Sequence, residues 1–380
     1  MSKRRPTSRA AWVRRGVQLA CLALFLVLLL WTRPVPGQPP PAWLGVFFYL
    51  DPLILLLTAL AAHAVPLALL LALITVVVTV VAGRVFCGWF CPLGTVHALA
   101  SRVFDYWRPR RRREHWSRWH LAKYYVLAGL VILALGGVQW LALLDPFALL
   151  YRSVTTAVWP GVQWAVEDAS AALYHADPRV GSWRVTSASE PVYCWVRDAT
   201  FVVPRQAFVG GSVILAVFLA TLGLNYFRRR FWCRYICPLG GLLGLLAWRP
   251  WLRRRVDETA CNQCDVCGLT CHGAGTAAPG TGWKPQECFG CLNCTDACPR
   301  DGLAFTLTAP WQARQLDESI DLSRRGLLAG ALCGAAGVLL MRTTPAARGR
   351  TFEPTLLRPP GAGAERDFLA RCIGCGLCMK

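Results

Sequence analysis

Apolar runs alternate with basic clusters along most of this chain. Residues 1–16 carry Lys3, Arg4, Arg5, Arg9, Arg14 and Arg15, and Val17 to Trp31 then runs on without a charge. From Trp43 to Ala82 the chain stays apolar for about twice the roughly 20 residues that one bilayer crossing needs. Asp51-Pro52 breaks that run early, so Pro52 to Ala62 reads as a short helix at the outer surface and Ala64 to Ala82 as a crossing. Ala122 to Trp140 and Ala207 to Phe227 bring the expected number of crossings to four. Arg84, the run from Arg102 to Arg118, Arg228 to Arg230 and Arg249 to Arg255 flank them. Basic residues beside apolar helices stay on the cytoplasmic side. The amino end and both inner segments are therefore expected in the cytoplasm. A cleaved signal peptide is the rival reading of 17–31, but no small-residue cleavage site follows it.

The crossings form a repeat. Each unit reads crossing, Asp-Pro, crossing, Cys-x3-Cys-Pro, with Asp51-Pro52 answered by Asp145-Pro146. Cys87, Cys91 and Pro92 recur as Cys233, Cys237 and Pro238, each motif followed by Leu-Gly. Two crossings per unit give both units one orientation, so both cysteine pairs lie on one side. The first repeat spans 17–151. The second begins near 122, takes an external insertion at 152–206 with balanced charge, and resumes at 207–255. Spacing by four sets both sulfurs of a pair on one face of a helical turn. A proline next in line suits a helix start, where the amide dipoles and Arg84 or Arg234 favour thiolate. These four cysteines read as redox-active or metal-handling thiols that converge between the repeats. Small buried cysteines at helix junctions are the plainer reading. Asp51 and Asp145 read first as helix caps before proline, and second as proton acceptors from a quinol. His63 and His97 read as lone interfacial histidines.

Residues 256–309 carry the most specific signal. Cys261, Cys264, Cys267 and Cys271 form C-x2-C-x2-C-x3-C, and Cys288, Cys291, Cys294 and Cys298 repeat it before Pro299. Three closely spaced thiolates wrap three corners of a [4Fe-4S] cube, and the fourth cysteine of each run serves the other cluster. Cluster 1 is thus expected on Cys261, Cys264, Cys267 and Cys298, and cluster 2 on Cys271, Cys288, Cys291 and Cys294. Zinc needs only paired C-x2-C hooks, which leaves the third cysteine of each run without a purpose. A c-type haem needs C-x-x-C-H, and Cys267 to His272 has one residue too many.

A linker and apolar segment follow at 310–341. Within it, Ser323-Arg324-Arg325-Gly326 opens an apolar stretch that reads as a twin-arginine export signal or a fifth membrane helix. Either places the 342–380 tail outside the membrane. The tail ends in a third motif, Cys372, Cys375 and Cys378, an incomplete site that leads us to expect a chain cut short and room for a further cluster.

Composition agrees. The 380 residues are 55% hydrophobic and only 16% charged, against about 25% charged in soluble domains. The net charge of +20 sits beside apolar runs and no nucleic-acid motif accompanies it, so no nucleic-acid partner is expected. Of the 18 cysteines, only Cys21, Cys194 and Cys333 fall outside these patterns, and they read as apolar fillers.

Crossings, paired Cys-x3-Cys-Pro motifs and a two-cluster domain together resemble the NapH type of membrane polyferredoxin, related to NosR and CcoG. The resemblance covers roughly residues 15–305, and the segment from Ser323 to Cys378 resembles the start of a NapG-type exported ferredoxin. His272 departs from the proline that usually follows the fourth cysteine. The resemblance implies a mainly α, multi-pass protein of the bacterial inner membrane, set in lipid, with a small α+β dicluster ferredoxin domain on the cytoplasmic side. It also implies a quinol dehydrogenase-like component that passes electrons from the quinone pool toward a periplasmic cytochrome or reductase. Copper reduction by the Cys-x3-Cys-Pro thiols, in the assembly of a metallo-oxidase or reductase, is the alternative.

Overall fold

The computed structural model describes residues 9–32, 41–107, 116–139, 144–180, 183–201, 208, 210–275, 283–309, 322–343 and 372. Most of these are helical. The first repeat contributes α1 (Arg9–Trp31), α2 (Val46–Tyr49), α3 (Pro52–Ala62), α4 (Ala72–Ala82), α5 (Val85–Trp89) and α6 (Pro92–Trp107). The second contributes α7 (Ala122–Leu135), α8 (Pro146–Ser153), α9 (Trp159–Ala176) and α10 (Thr186–Thr200), then α11 (Gly211–Gly223), α12 (Phe231–Tyr235) and α13 (Pro238–Leu246). A five-residue π-turn joins α8 to α9, so helix runs unbroken across the expected start of the insertion at residue 152. A two-residue hairpin, β1 (Arg179–Val180) with β2 (Trp183–Arg184), turns the chain into α10.

Among the described residues, Arg9–Trp31 and Arg118–Leu135 are long and apolar enough to cross a bilayer. Trp43–Tyr49 with Pro52–Ala62 would make a third span, but the pair bends by 88°. Leu67–Ala82 and Gly211–Tyr226, two of the four expected crossings, are apolar but shorter.

Pro52–Ala62 packs inside the protein: Leu53, Ile54 and Leu57 are fully buried and α3 packs on α7, α4 and α13. Its start is fixed by Asp51, whose Oδ1 accepts from the amides of Leu53 (2.7 Å) and Ile54 (3.4 Å). Asp145 caps α8 alike, accepting from Phe147 (3.0 Å) and Ala148 (2.8 Å). Proline at the first helical position fits because that amide has no partner to lose. The core gathers around Phe147, which is fully buried and packs its ring against Phe47, Phe48 and Phe86 at 5.9, 6.5 and 6.0 Å.

The ferredoxin-like part opens with β3 (Leu252–Val256), which turns the basic run after Arg249 into a strand. After α14 (Val266–Thr270) and α15 (Asn293–Ala297) it closes with β4 (Leu303–Leu307), antiparallel to β3 in the register Leu252 to Leu307. Helix α16 (Arg324–Thr343) lies along α7 through a seam of small residues, where Gly129 meets Gly330 and Gly334. Close backbone approach through glycine is how apolar helices associate where burial supplies no drive. Of the tail motif only Cys372 is described; Cys375 and Cys378 lie outside the described residues.

His97 does not stand alone. It is fully buried on α6, and Asn225 Nδ2 from the second repeat lies 2.8 Å from its Nδ1. Burial, with Arg230 nearby, holds its pKa at about 4. The neutral ring is therefore the folded form, and the unfolded chain binds the extra proton. Stability is expected to be full above about pH 6.5 and to fall as the pH drops through that value toward about 4. The loss is on the order of 3 kcal/mol. Thermal unfolding in detergent across this window should show it, and His97→Gln should flatten it.

Candidate iron–sulfur and thiol centre

The cysteines of the 256–309 segment fall into two groups. Cys261, Cys264, Cys267 and Cys298 line one pocket with Pro299 and Gly302. The structure thus brings the last cysteine of the second run to the first three of the first. Cys264 is exposed, so this pocket faces outward. In the other group, Cys271, Cys288, Cys291 and Cys294, each of the six pairs lies within electrostatic reach. Burial pushes the Cys288 thiol up to about 12, so unassisted thiols here stay protonated. Metal ligation takes the deprotonated form. Among the described residues no three His, Cys, Asp or Glu side chains close on a single metal ion. With four cysteines each, both groups fit [4Fe-4S] clusters, which would supply one-electron chemistry there.

The Cys-x3-Cys-Pro motifs form a third group. Cys87 sits in α5 and Cys233 in α12, while Cys91 and Cys237 precede α6 and α13. Each pair is thus split between two short helices rather than sharing one turn, because proline at 92 and 238 starts a new helix. Even so, all four thiols are buried and all six pairs interact electrostatically. Cys91 Sγ accepts from Gly94 N at 3.4 Å and Cys237 Sγ from Gly240 N at 3.3 Å. The expected lowering of these pKa values by arginine does not prevail. Burial outweighs the guanidinium groups and raises Cys91, Cys233 and Cys237.

The two repeats are cross-linked by arginines three residues ahead of each motif. Arg84 Nη2 of the first donates to Cys233 O at 3.5 Å, and Arg230 Nη1 of the second donates to Cys87 O at 3.1 Å. Both guanidinium groups lie over the Phe289 ring, at 4.9 and 5.2 Å. Phe289 follows Cys288 directly, so the cluster-2 loop enters the space between the repeats. Gly88 permits this, since a Cβ there would collide with the Phe289 carbonyl. Trp89 Nε1 holds Gly290 O at 3.0 Å, and Arg234 holds the carbonyls of His272 (2.8 Å) and Cys271 (3.1 Å).

Glu287 closes the seam. Its carboxylate, 1% exposed, meets Arg84 at 3.2 Å, the Lys123 ammonium and the Tyr124 hydroxyl. Lys123, Glu287 and Phe289 were not singled out in the sequence. The only signal was an isolated lysine at the start of an apolar run. The caps Asp51 and Asp145 also come together: both are fully buried, their side chains interact, and Asp51 Oδ2 and Asp145 Oδ1 have no other acceptor role filled.

Comparison with known proteins agrees with this layout. Residues 64–114 and 211–257 both match one family, described as a 4Fe-4S binding domain. Each segment holds one Cys-x3-Cys-Pro motif. YccM of Escherichia coli, described as an electron transport protein, is 30% identical over 101 residues, 26% of this chain and 28% of its own length. The methylamine utilization ferredoxin-type protein MauN of Paracoccus denitrificans is 26% identical over 71% of this chain and 81% of its own. The regulatory protein NosR of Pseudomonas aeruginosa is 26% identical over 62% of this chain, which spans only 27% of NosR. No solved structure matches. The chain is an iron–sulfur protein related to MauN and NosR.

Two outcomes follow for the purified, anaerobically prepared protein. Cys298→Ser should remove the EPR signal of cluster 1 and spare cluster 2, whereas Cys271→Ser should do the reverse; uncrossed ligation would invert both results. Glu287→Ala should cost about 3–5 kcal/mol in thermal unfolding, the penalty for leaving buried cations unpaired.

Proposed function

We propose that this protein is an inner-membrane iron–sulfur electron-transfer component of the NapH type. It takes electrons from the quinol pool and passes them through its [4Fe-4S] clusters toward a periplasmic reductase or its ferredoxin partner. The observation that carries this reading is the seat of the cluster-2 loop, wedged by Phe289 between the two thiol-bearing repeats. A ferredoxin that only shuttled between soluble partners would have no reason to bury its inner cluster loop against apolar helices. Relatives described by electron transport and ferredoxin-type function support it. The basic segments beside the apolar helices favour a cytoplasmic ferredoxin domain. The paired arginines at the start of α16 favour export of the tail.

Copper reduction for metallo-oxidase or reductase assembly fits less well. Its four thiols are only 5–8% exposed and lie beneath the ferredoxin loop, where a delivered ion has poor access.

Quinol oxidation releases two electrons and two protons, and each cluster takes one electron at a time. In membranes kept free of oxygen, a quinol analogue should reduce the clusters and give EPR signals from at least two [4Fe-4S]⁺ centres. Clusters that respond to dithionite but stay silent with quinol would sink this reading.

A further inference from the structure

The Cys-x3-Cys-Pro thiols raise a problem of charge. Arg84 and Arg230 are fully buried beside them. Arg84 shares the single carboxylate of Glu287 with Lys123. Arg230 donates to one backbone carbonyl, and its Nε and Nη2 have no partner. Arg84 Nε also lacks one. A buried guanidinium nitrogen without an acceptor is costly, and such nitrogens on two arginines related by the repeat, Nε of Arg84 and both Nε and Nη2 of Arg230, point to an anion at the centre.

Four neutral thiols do not supply it. Two disulfides do not supply it either. Four thiolates around a metal centre do, because the assembly keeps net negative charge. The surroundings are shaped for sulfur ligands. Gly94 and Gly240 aim amides at Cys91 and Cys237 from the first turns of α6 and α13. A side chain at Gly94 would press on Cys87 O at 2.9 Å.

We propose that Cys87, Cys91, Cys233 and Cys237 together ligate a third iron–sulfur cluster, shared between the repeats, and that Phe289 between Arg84 and Arg230 sets its approach to cluster 2. Each repeat supplies half of the site, which explains why the motif is duplicated and why each arginine reaches across to the other repeat's cysteine. The cluster takes up one electron and returns to its oxidised state as cluster 2 is reduced, with no bond made or broken. Phe289 is a positioning residue: it touches both guanidinium groups and adjoins the ligand Cys288. The site rests on the electron-transfer reading only for its role as a relay, not for its existence.

The test is metal analysis of the full chain purified anaerobically in detergent. Iron, acid-labile sulfide, zinc and copper are measured in the wild type, in Cys91→Ser and in Cys237→Ser. Each substitution should lower iron and sulfide by the same amount, four of each per chain for a [4Fe-4S] centre or two for [2Fe-2S], while the EPR signals of clusters 1 and 2 persist. The tail cysteines do not confuse this, since they are the same in all three proteins. Unchanged iron, or loss of zinc or copper instead, would overturn the proposal. So would a loss from one variant only, which would mean that a single repeat holds the iron without the other. If the variants do not accumulate, Phe289→Leu provides the second arm. It should leave the iron content intact while slowing reduction of cluster 2 several-fold; no change in that rate would remove Phe289 from the path. A protein whose clusters ignore quinol yet whose iron falls as described would refute the functional reading and leave this site standing.

Discussion

Glu287 makes the assembly of the two repeats and the ferredoxin-like part possible. It is the acceptor from the ferredoxin side for two cations, Arg84 and Lys123, that come from different repeats. Fully buried charges of one sign repel and are poorly solvated, so neither cation could sit at the seam without it. Its position one residue before Cys288 carries the effect into the cluster-2 loop. Once Glu287 is anchored, Cys288 and Phe289 have little freedom, and Phe289 is drawn beneath both arginines. The wedge, the carbonyl contacts of Arg234 and the glycine gap at Gly88 then follow from that one constraint.

The far side of the core follows a different rule. Asp51 and Asp145 each start a helix inside the protein rather than at its surface, and each spends one oxygen on two backbone amides. An unpaired helix start in an apolar core would be costly, so a capping acid before proline is the cheapest way to begin one. The repeat brings both caps together, which places two carboxyl groups against each other in apolar surroundings. The arrangement is intelligible as the meeting of two equivalent helix starts, with Phe147 packed directly behind one of them.

Much of this was legible in the chain. The C-x2-C-x2-C-x3-C runs gave groupings that the fold brings together as written, because a ligand loop encodes its own geometry over a few residues. The repeat was equally readable from Asp-Pro and Cys-x3-Cys-Pro. Depth was not. The burial of Asp51, Pro52 and His97 has no local signal, because hydropathy along a sequence reports length and not which apolar segment folds beneath another. Thiol acidity was misjudged for the same reason. Arg84 and Arg234 are visible beside the motifs, but the burial that outweighs them arises only when the second repeat and the ferredoxin loop close over the site. Contacts such as Lys123 with Glu287, separated by 164 residues, leave no local pattern at all.

The irregular corner at Cys271-His272 also becomes intelligible from the docking. In a free two-cluster domain the residue after the fourth cysteine only has to leave the ligand loop, and proline suits that. Here the carbonyls of Cys271 and His272 are both held by Arg234 from the second repeat. The next residue, Gly273, passes so near the backbone carbonyl of Glu287 that a Cβ would collide with it. The chain therefore has to turn back sharply against the seam instead of running away from it. His272 is half-buried in that turn, near Arg14, Arg229, Arg230 and Arg234, and burial together with those cations holds its ring well below the usual histidine range. A neutral imidazole adds no further positive charge to a region already rich in it. The departure from the usual motif is thus a feature of a ferredoxin fitted to a cationic face of the repeats, and it marks the edge along which the two parts of the chain were shaped to each other.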